Sequence, residues 1–164
     1  MEQSFGFDLV MALPIVGAAI SVFFGAVGSS KGIGIAAQVA NGVLTEDPDK
    51  FGSLLILVAL PGTQGIYGFL GCVLILNTIG IIGGELKTIT MGQAWMLMFA
   101  GFPVGLAAWI SGIWQGKVCA TGISMASKRP EAMMKAVIYG AMVETYAILG
   151  LLATILILTG LNIK

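Results

Sequence analysis

The sequence predicts an all-α membrane protein whose four helices are two copies of one hairpin. Three observations carry this. The composition is 57% hydrophobic and only 10% charged, with a mean hydropathy of +0.99, whereas soluble domains devote about a quarter of their residues to charge. The apolar residues fall into four stretches, about 9–44, 51–82, 94–127 and 131–161, each longer than the roughly 20 helical residues a hydrocarbon core requires. The second pair repeats the first: a helix, LTEDPDK and a helix are followed by a helix, SKRPEAMMK and a helix. Pro48 and Pro130 both stand where a new helix begins, a place suited to a residue with no N–H to donate.

The first stretch follows MEQSFGFD, which holds Glu2 and Asp8 but no basic residue. It therefore lacks the basic start of a cleaved signal peptide and is expected to remain as a helix. Gly17, Ser21, Gly25, Gly28, Gly32 and Ala36 recur at spacings of three and four, which puts them on one face and lets a neighbouring backbone come close. The second stretch contains LPGTQGIYG. Pro61 has no N–H for the Leu57 carbonyl and disfavours helical geometry at Leu60, and Gly62 and Gly65 loosen the backbone further. The third stretch repeats the small-residue face with Gly101, Gly105, Ala108, Gly112, Gly116 and Ala120. No comparable face is expected along the fourth.

The connection IIGGELKTITMG divides the chain into hairpins 1–84 and 85–164, which form one membrane unit rather than separate domains. The two prolines lie 130 − 48 = 82 residues apart and Gln64 and Glu144 lie 144 − 64 = 80 apart, so a small insertion or deletion separates the halves. Internal repeats of this kind are common in membrane transport proteins. The small residues of the first and third helices serve either ordinary packing within one chain or an inner layer continued by neighbouring copies in a ring.

Charge sets the orientation and removes function classes. Six of the eight basic residues (Lys31, Lys50, Lys117, Lys128, Arg129 and Lys135) lie near the two short turns, and only Lys87 and Lys164 near the other side. The positive-inside rule then places both turns in the cytoplasm and both termini outside. Zero net charge gives no footing for nucleic acid, and the lack of any histidine removes the usual proton relay and transition-metal ligand. Cys72 and Cys119 read as small core residues, Met91 and Trp95 as interface anchors, and Trp109 and Trp114 as lipid or neighbour contacts. Lys31 and Lys117 either snorkel to the cytoplasm or line a ring interior.

One residue stands against this apolar background. Glu144 lies mid-helix in AMVETYAILGLLATILIL, and a charge at the bilayer centre costs about 2.5–3.5 kcal/mol on insertion scales, so such residues mark functional sites. Counting inward from the turns at 1.5 Å per residue, Gln64, Gln115 and Glu144 all lie roughly 18–21 Å deep. Leu60, Thr63, Gln64 and Tyr67 follow the i, i+3, i+4, i+7 pattern of one helical face. The set thus offers a carboxylate (Glu144), two amide oxygens (Gln64 and Gln115), a hydroxyl (Thr63) and a backbone carbonyl (Leu60). All-oxygen shells suit hard cations, and one carboxylate balances one monovalent charge, so sodium fits better than calcium or magnesium. The Tyr67 hydroxyl is placed to hydrogen-bond Glu144 and hold its rotamer.

Nearly the whole chain, with PGTQGIYGFLG in the second helix, QGKV in the third and MVETYAILG in the fourth, resembles the K (proteolipid, c-ring) subunit of bacterial sodium-pumping V-type ATPases. The resemblance implies a homo-oligomeric rotor ring carrying sodium ions through the membrane, with no catalytic chemistry on this chain. It implies sodium ligands at Leu60 (backbone), Thr63, Gln64, Gln115 and Glu144, with Tyr67 bonding the glutamate. It also implies a stator membrane subunit presenting an arginine and a central stalk docked at turns 45–50 and 127–131. A proton-carrying rotor using the same Glu144 is the alternative. A small four-helix cation-coupled exporter is a weaker one, because such a protein is expected to carry its carboxylate in an aromatic-rich first helix.

Overall fold

In a computed structural model of the chain, covering residues 9–161 and 163, four apolar helical spans follow one another: Leu9–Glu46, Pro48–Thr78, Met91–Lys128 and Pro130–Gly160. The segment with Glu2 and Asp8, and Lys164, lie outside the described residues. The first span is helix α1 (Leu9–Glu46). The second is α2 (Phe51–Ala59) and α3 (Thr63–Thr78), joined by a tight 3₁₀ turn at Leu60–Gly62. The third is α4 (Met91–Lys128) and the fourth is α5 (Met133–Gly160). No strand occurs among the described residues.

Helix ends follow local chemistry. Pro48 and Pro130 each open a 3₁₀ turn leading into the second and fourth spans, where a missing N–H costs nothing. The second span stops at Thr78, short of the expected 82, because Gly80 adopts φ +83. The N–H of Ile81 then reaches the Leu76 carbonyl and that of Gly80 the Asn77 carbonyl, at 3.1 and 3.0 Å. These two bonds close a Schellman C-terminus. The third span starts at Met91, three residues before the hydropathy edge. Thr90 Oγ1 accepts the Gln93 N–H while Gln93 Oε1 accepts the Thr90 N–H, a reciprocal capping box.

Packing is built on α1 against α4. A side chain at Gly28 would strike the backbone of Trp109 (2.6 Å from its Cα), and one at Gly112 the backbone of Gly28 at 2.6 Å. Gly17 likewise meets the backbone of Leu97 and Met98, and Gly32 and Gly116 meet across the same seam. Contacts advance in step along both helices, so α1 and α4 run parallel with backbones touching, as small residues permit. The second span packs on α1, with Gly25 against the backbone of Gln64 and Gly68, and α5 packs on α4.

The fourth span corrects one expectation. Ala136, Gly140, Ala147, Gly150 and Thr154 form a buried face of small residues along α5. Gly150 sits over the Pro103 carbonyl and Gly140 over the Leu60 side chain. Isolated small residues spread over five turns are less visible in sequence than glycines at strict spacing, although the packing need is the same. The Trp109 ring, half-buried, stacks on Phe24 of α1 at 5.1 Å and so serves a contact between two helices of the chain.

Two apolar clusters bracket a polar layer. Leu13, Ile75, Ile79, Ala94, Leu97 and Leu158 pack at the end bearing the termini, and Ala36, Leu54, Leu57, Cys119, Ile123 and Ala136 at the end bearing the short turns. Between them the buried polar residues Ser21, Ser29, Gln64, Ser111, Gln115 and Thr154 are distributed. Thr154 services a proline. Beside Pro103 its hydroxyl donates to the Ala100 carbonyl at 2.8 Å and accepts the Val104 N–H at 3.4 Å. It thus reaches the amide and carbonyl that an unbroken turn would pair with each other.

Candidate ion site

The site begins at Pro61. With no N–H for the Leu57 carbonyl, the chain tightens into the 3₁₀ turn Leu60–Gly62, and Pro61 is buried against Gly32, where any side chain would meet its Cβ at 2.7 Å. Leu60 itself stays right-handed helical (φ −52, ψ −44), which corrects the expectation that Pro61 would push it out of helical geometry. The steric penalty on the residue before proline is a bias, and burial on α1 outweighs it. The Ser29 hydroxyl reaches across to the Gly62 carbonyl at 3.1 Å and fastens the turn to α1.

That turn sets the height of the next three polar groups. Leu60 O receives both the backbone N–H of Thr63 and its hydroxyl, the latter at 3.0 Å. Thr63 Oγ1 lies 3.4 Å from Gln64 Oε1. Three oxygens from three residues are therefore neighbours on one side of the second span. Gln64 is fully buried, whereas Leu60, Thr63 and Tyr67 are half-buried.

The third and fourth spans close the set. Gln115, also fully buried, accepts the Gln64 Nε2–H on its Oε1. Its own Nε2 donates to the Gly140 carbonyl at 3.1 Å and toward Glu144 Oε2 at 3.5 Å. The Tyr67 hydroxyl donates to Glu144 Oε1 at 2.7 Å, within the short range of bonds to a charged acceptor. All six residues singled out in the sequence thus occur in one neighbourhood. Gln115 has a bridging position that spacing could not show: it touches Gln64, Gly140 and Glu144 at once. The Gly140 carbonyl is a further member that sequence reasoning missed. Its signal is the i, i+4 placement of Gly140 before Glu144, which puts both on one face.

Glu144 is bordered by neutral groups. The ion pairs found among the described residues, Lys50 with Asp47 and Arg129 with Glu131, both lie at the turns. No group of three His, Cys, Asp or Glu side chains comes together among the described residues. The arrangement is one carboxylate, neutral oxygens and two side-chain amides, suited chemically to a single positive charge without water.

Residues 16–75 and 98–157, one segment in each hairpin, match the family model of the ATP synthase C subunit. The chain is 40% identical to the V-type sodium ATPase subunit K of Enterococcus hirae over 90% of each chain. It is 38% identical to the A-type ATP synthase subunit K of Methanocaldococcus jannaschii, over 92% of this chain and 63% of that one. It is 22% identical to the 16 kDa proteolipid subunit of the V-type proton ATPase of Homo sapiens, over 96% and 98%.

Proposed function

This chain belongs to the ATP synthase C-subunit family, and from that premise we propose that it is the rotor-ring subunit of a sodium-translocating V-type ATPase, carrying one sodium ion at Glu144. The observation that carries the reading is the environment of that carboxylate. Glu144 is held by Tyr67 and Gln115 from two other spans, and no basic side chain pairs with it among the described residues. A mid-membrane carboxylate needs a positive counter-charge, so the cargo supplies it.

The ligands are Leu60 O, Thr63 Oγ1, the amide oxygens of Gln64 and Gln115, and the Glu144 carboxylate. A turn of the Gln64 amide releases Gln115 Oε1 from its hydrogen bond and leaves both amide oxygens for the ion, while Gln115 Nε2 keeps the Gly140 carbonyl. The Enterococcus hirae relative is named as a sodium ATPase subunit, which supports sodium over a proton. The loaded site is electrically neutral and can cross lipid. The bare carboxylate cannot do so cheaply, so release occurs opposite an arginine on a stator membrane subunit. Catalysis of ATP hydrolysis belongs to other subunits of the complex.

Placement in the cell membrane, with both short turns cytoplasmic and both termini outside, follows from the basic residues at those turns. Turns 45–50 and 127–131 dock the central stalk. Lys50 supports their joint action: its Nζ reaches the Ser127 carbonyl at 2.9 Å and Asp47 at 3.1 Å, tying one turn to the other.

Carbodiimide labelling of Glu144, titrated with sodium at several pH values in the assembled complex, tests the reading. Sodium should protect the carboxylate, and more effectively as pH rises and protons compete less. Lack of protection even at alkaline pH would make a proton-carrying rotor the better reading.

A further inference from the structure

Sodium held at Glu144 needs a way out of the membrane, and the second and fourth spans leave one between them. Leu70 and Leu74 lie three and seven residues beyond Tyr67, and Ile148 and Ile155 four and eleven beyond Glu144. Helical spacing keeps each row on the face that carries the Tyr67–Glu144 bond. Leu70 and Ile148 are 40% and 46% exposed, so the seam they line opens on the outside of the bundle. Leu74 and Ile155 then form one wall of a cavity of about 150 Å³, completed by Asn77, Thr78, Leu158 and Thr159.

The polar part of that cavity repeats between the hairpins. The family matches are offset by 98 − 16 = 82 residues, and Asn77 and Thr159 by 159 − 77 = 82. Each hairpin thus places one polar side chain at the same register near the end of its second helix. Both hydroxyls have their protons committed: Thr78 Oγ1 donates to the Leu74 carbonyl at 2.8 Å and Thr159 Oγ1 to the Leu156 carbonyl at 3.1 Å. What each oxygen has left to offer is lone pairs, and Asn77 Oδ1 adds another acceptor. Among the described residues no charged side chain lines the cavity. Helices α3 and α5 both end beside it, at Thr78 and Gly160, and their dipoles turn a negative end toward a cation there. The other end of the same two spans carries helix N-termini and Lys50, which lines the small cavity beside Pro130 and Met133. Counted from Gln64 and Glu144 at 1.5 Å per residue, Asn77 and Thr159 stand about 20–22 Å further along. That is more than half the thickness of a hydrocarbon core of roughly 30 Å.

We propose that this cavity is a transit site for sodium, in which the ion leaving Glu144 is held by Asn77 Oδ1 and the Thr78 and Thr159 hydroxyl oxygens before it reaches water. The stretch between the two, walled by Leu70, Leu74, Ile148 and Ile155, offers the ion no side-chain ligand. The stator subunit therefore supplies that length of the path, and this chain supplies its mouth. Neutral oxygens without a carboxylate bind a cation weakly, which suits a place the ion must both enter and leave. At sodium levels that saturate Glu144 the cavity stays largely empty, so the count of tightly bound ions remains one per chain. The assignment rests on the rotor-subunit reading above and adds to it a second place where the ion is held.

The assembled complex in vesicles, with ATP supplied at the short-turn side, tests the proposal. Asn77→Leu combined with Thr159→Val removes two oxygens at nearly constant volume. Sodium protection of Glu144 from carbodiimide should stay within about twofold of wild type, while ATP-driven sodium transport slows about tenfold, the equivalent of losing one bond to a charged group. Asn77→Asp, which puts a carboxylate in the cavity, should hold the ion more tightly, so that sodium sealed inside the vesicles inhibits transport at a concentration about tenfold lower. This second variant also decides the matter where the double variant fails to assemble. A parallel loss of protection and transport in the double variant would mean that these residues act through the Glu144 site, and would overturn the proposal. Transport at the wild-type rate in the double variant, or unchanged inhibition in Asn77→Asp, would overturn it and leave the rotor reading standing. A wild-type complex that hydrolyses ATP without moving sodium would overturn the rotor reading and the proposal with it.

Discussion

The Tyr67 hydroxyl and the Glu144 carboxylate meet at 2.7 Å, joining the second and fourth spans at the depth where each span carries its strongest polar group. The bond fixes one carboxylate oxygen toward Tyr67 and leaves the other directed to Gln115. Tyr67→Phe should therefore free the Glu144 rotamer without removing an ion ligand. A hydrogen bond to a charged group contributes about 1.5–3 kcal/mol, and the half-buried position argues for the lower end. The sodium concentration giving half-protection of Glu144 should rise about tenfold. An unchanged value would show that the bond does not order the site.

Ligand deletions should separate charge from coordination. Glu144→Gln should abolish transport, because a neutral amide neither balances the ion nor cycles between charged and neutral forms. Thr63→Val and Gln64→Leu should weaken sodium protection markedly while Glu144 still takes up protons, so transport shifts toward protons as pH falls. Measuring sodium flux and proton flux in parallel in reconstituted vesicles checks this. Equal loss of both fluxes would place Thr63 and Gln64 outside the ion shell.

Gln115→Leu should be more damaging than either, because Gln115 also holds the Gly140 carbonyl and faces Glu144. Truncation leaves a buried carbonyl and the Gln64 amide unpaired, each costing about 1–3 kcal/mol. Thermal unfolding in detergent should show a lower midpoint for Gln115→Leu than for Thr63→Val. If the two midpoints match, the bridging role of Gln115 is refuted.

Ion count follows from the repeat. The two family matches are offset by 98 − 16 = 82 residues, which sets Gly62, a residue with no side chain, rather than Gln64 where Glu144 stands in the second hairpin, so each copy should bind one sodium ion per four helices. Fewer ions per turn allow the same ATP energy to work against a steeper gradient. Counting bound sodium per chain at saturation checks this, and a value near two would exclude it.

The glycine seam predicts a different failure. Gly28→Val or Gly112→Val would drive side chains into backbone, with no flexible group able to yield. Overpacking of ordinary cores costs about 1–3 kcal/mol, and backbone contact should put these variants at or beyond the upper end. Gly42→Ala, where nothing lies within 4 Å, serves as control. Stability in detergent should fall only in the seam variants.

Much of this was legible in the sequence for physical reasons. Spans, turn prolines and the small faces of α1 and α4 are encoded by periodicity, which survives without tertiary information. The depth of Gln64, Gln115 and Glu144 is a count of residues along straight helices. Other features depend on contacts between spans. The small face of α5 is spread among larger residues. Leu60 remains helical because Pro61 is pressed on Gly32, and the Trp109 ring finds its stacking partner, Phe24, on another helix. The Gly140 carbonyl belongs to the site only because Gln115 reaches it from another helix.

The contact of α1 with α4 has a mechanical consequence. Side chains act as springs between helices, since rotamers give way before backbones do. Where Gly28 and Gly32 lie directly on Gly112 and Gly116, those springs are missing and the two hairpins resist shear as one rigid plate. For a part that turns under load, stiffness at that seam keeps elastic lag out of each subunit. Torque would then be stored in softer elements elsewhere in the machine.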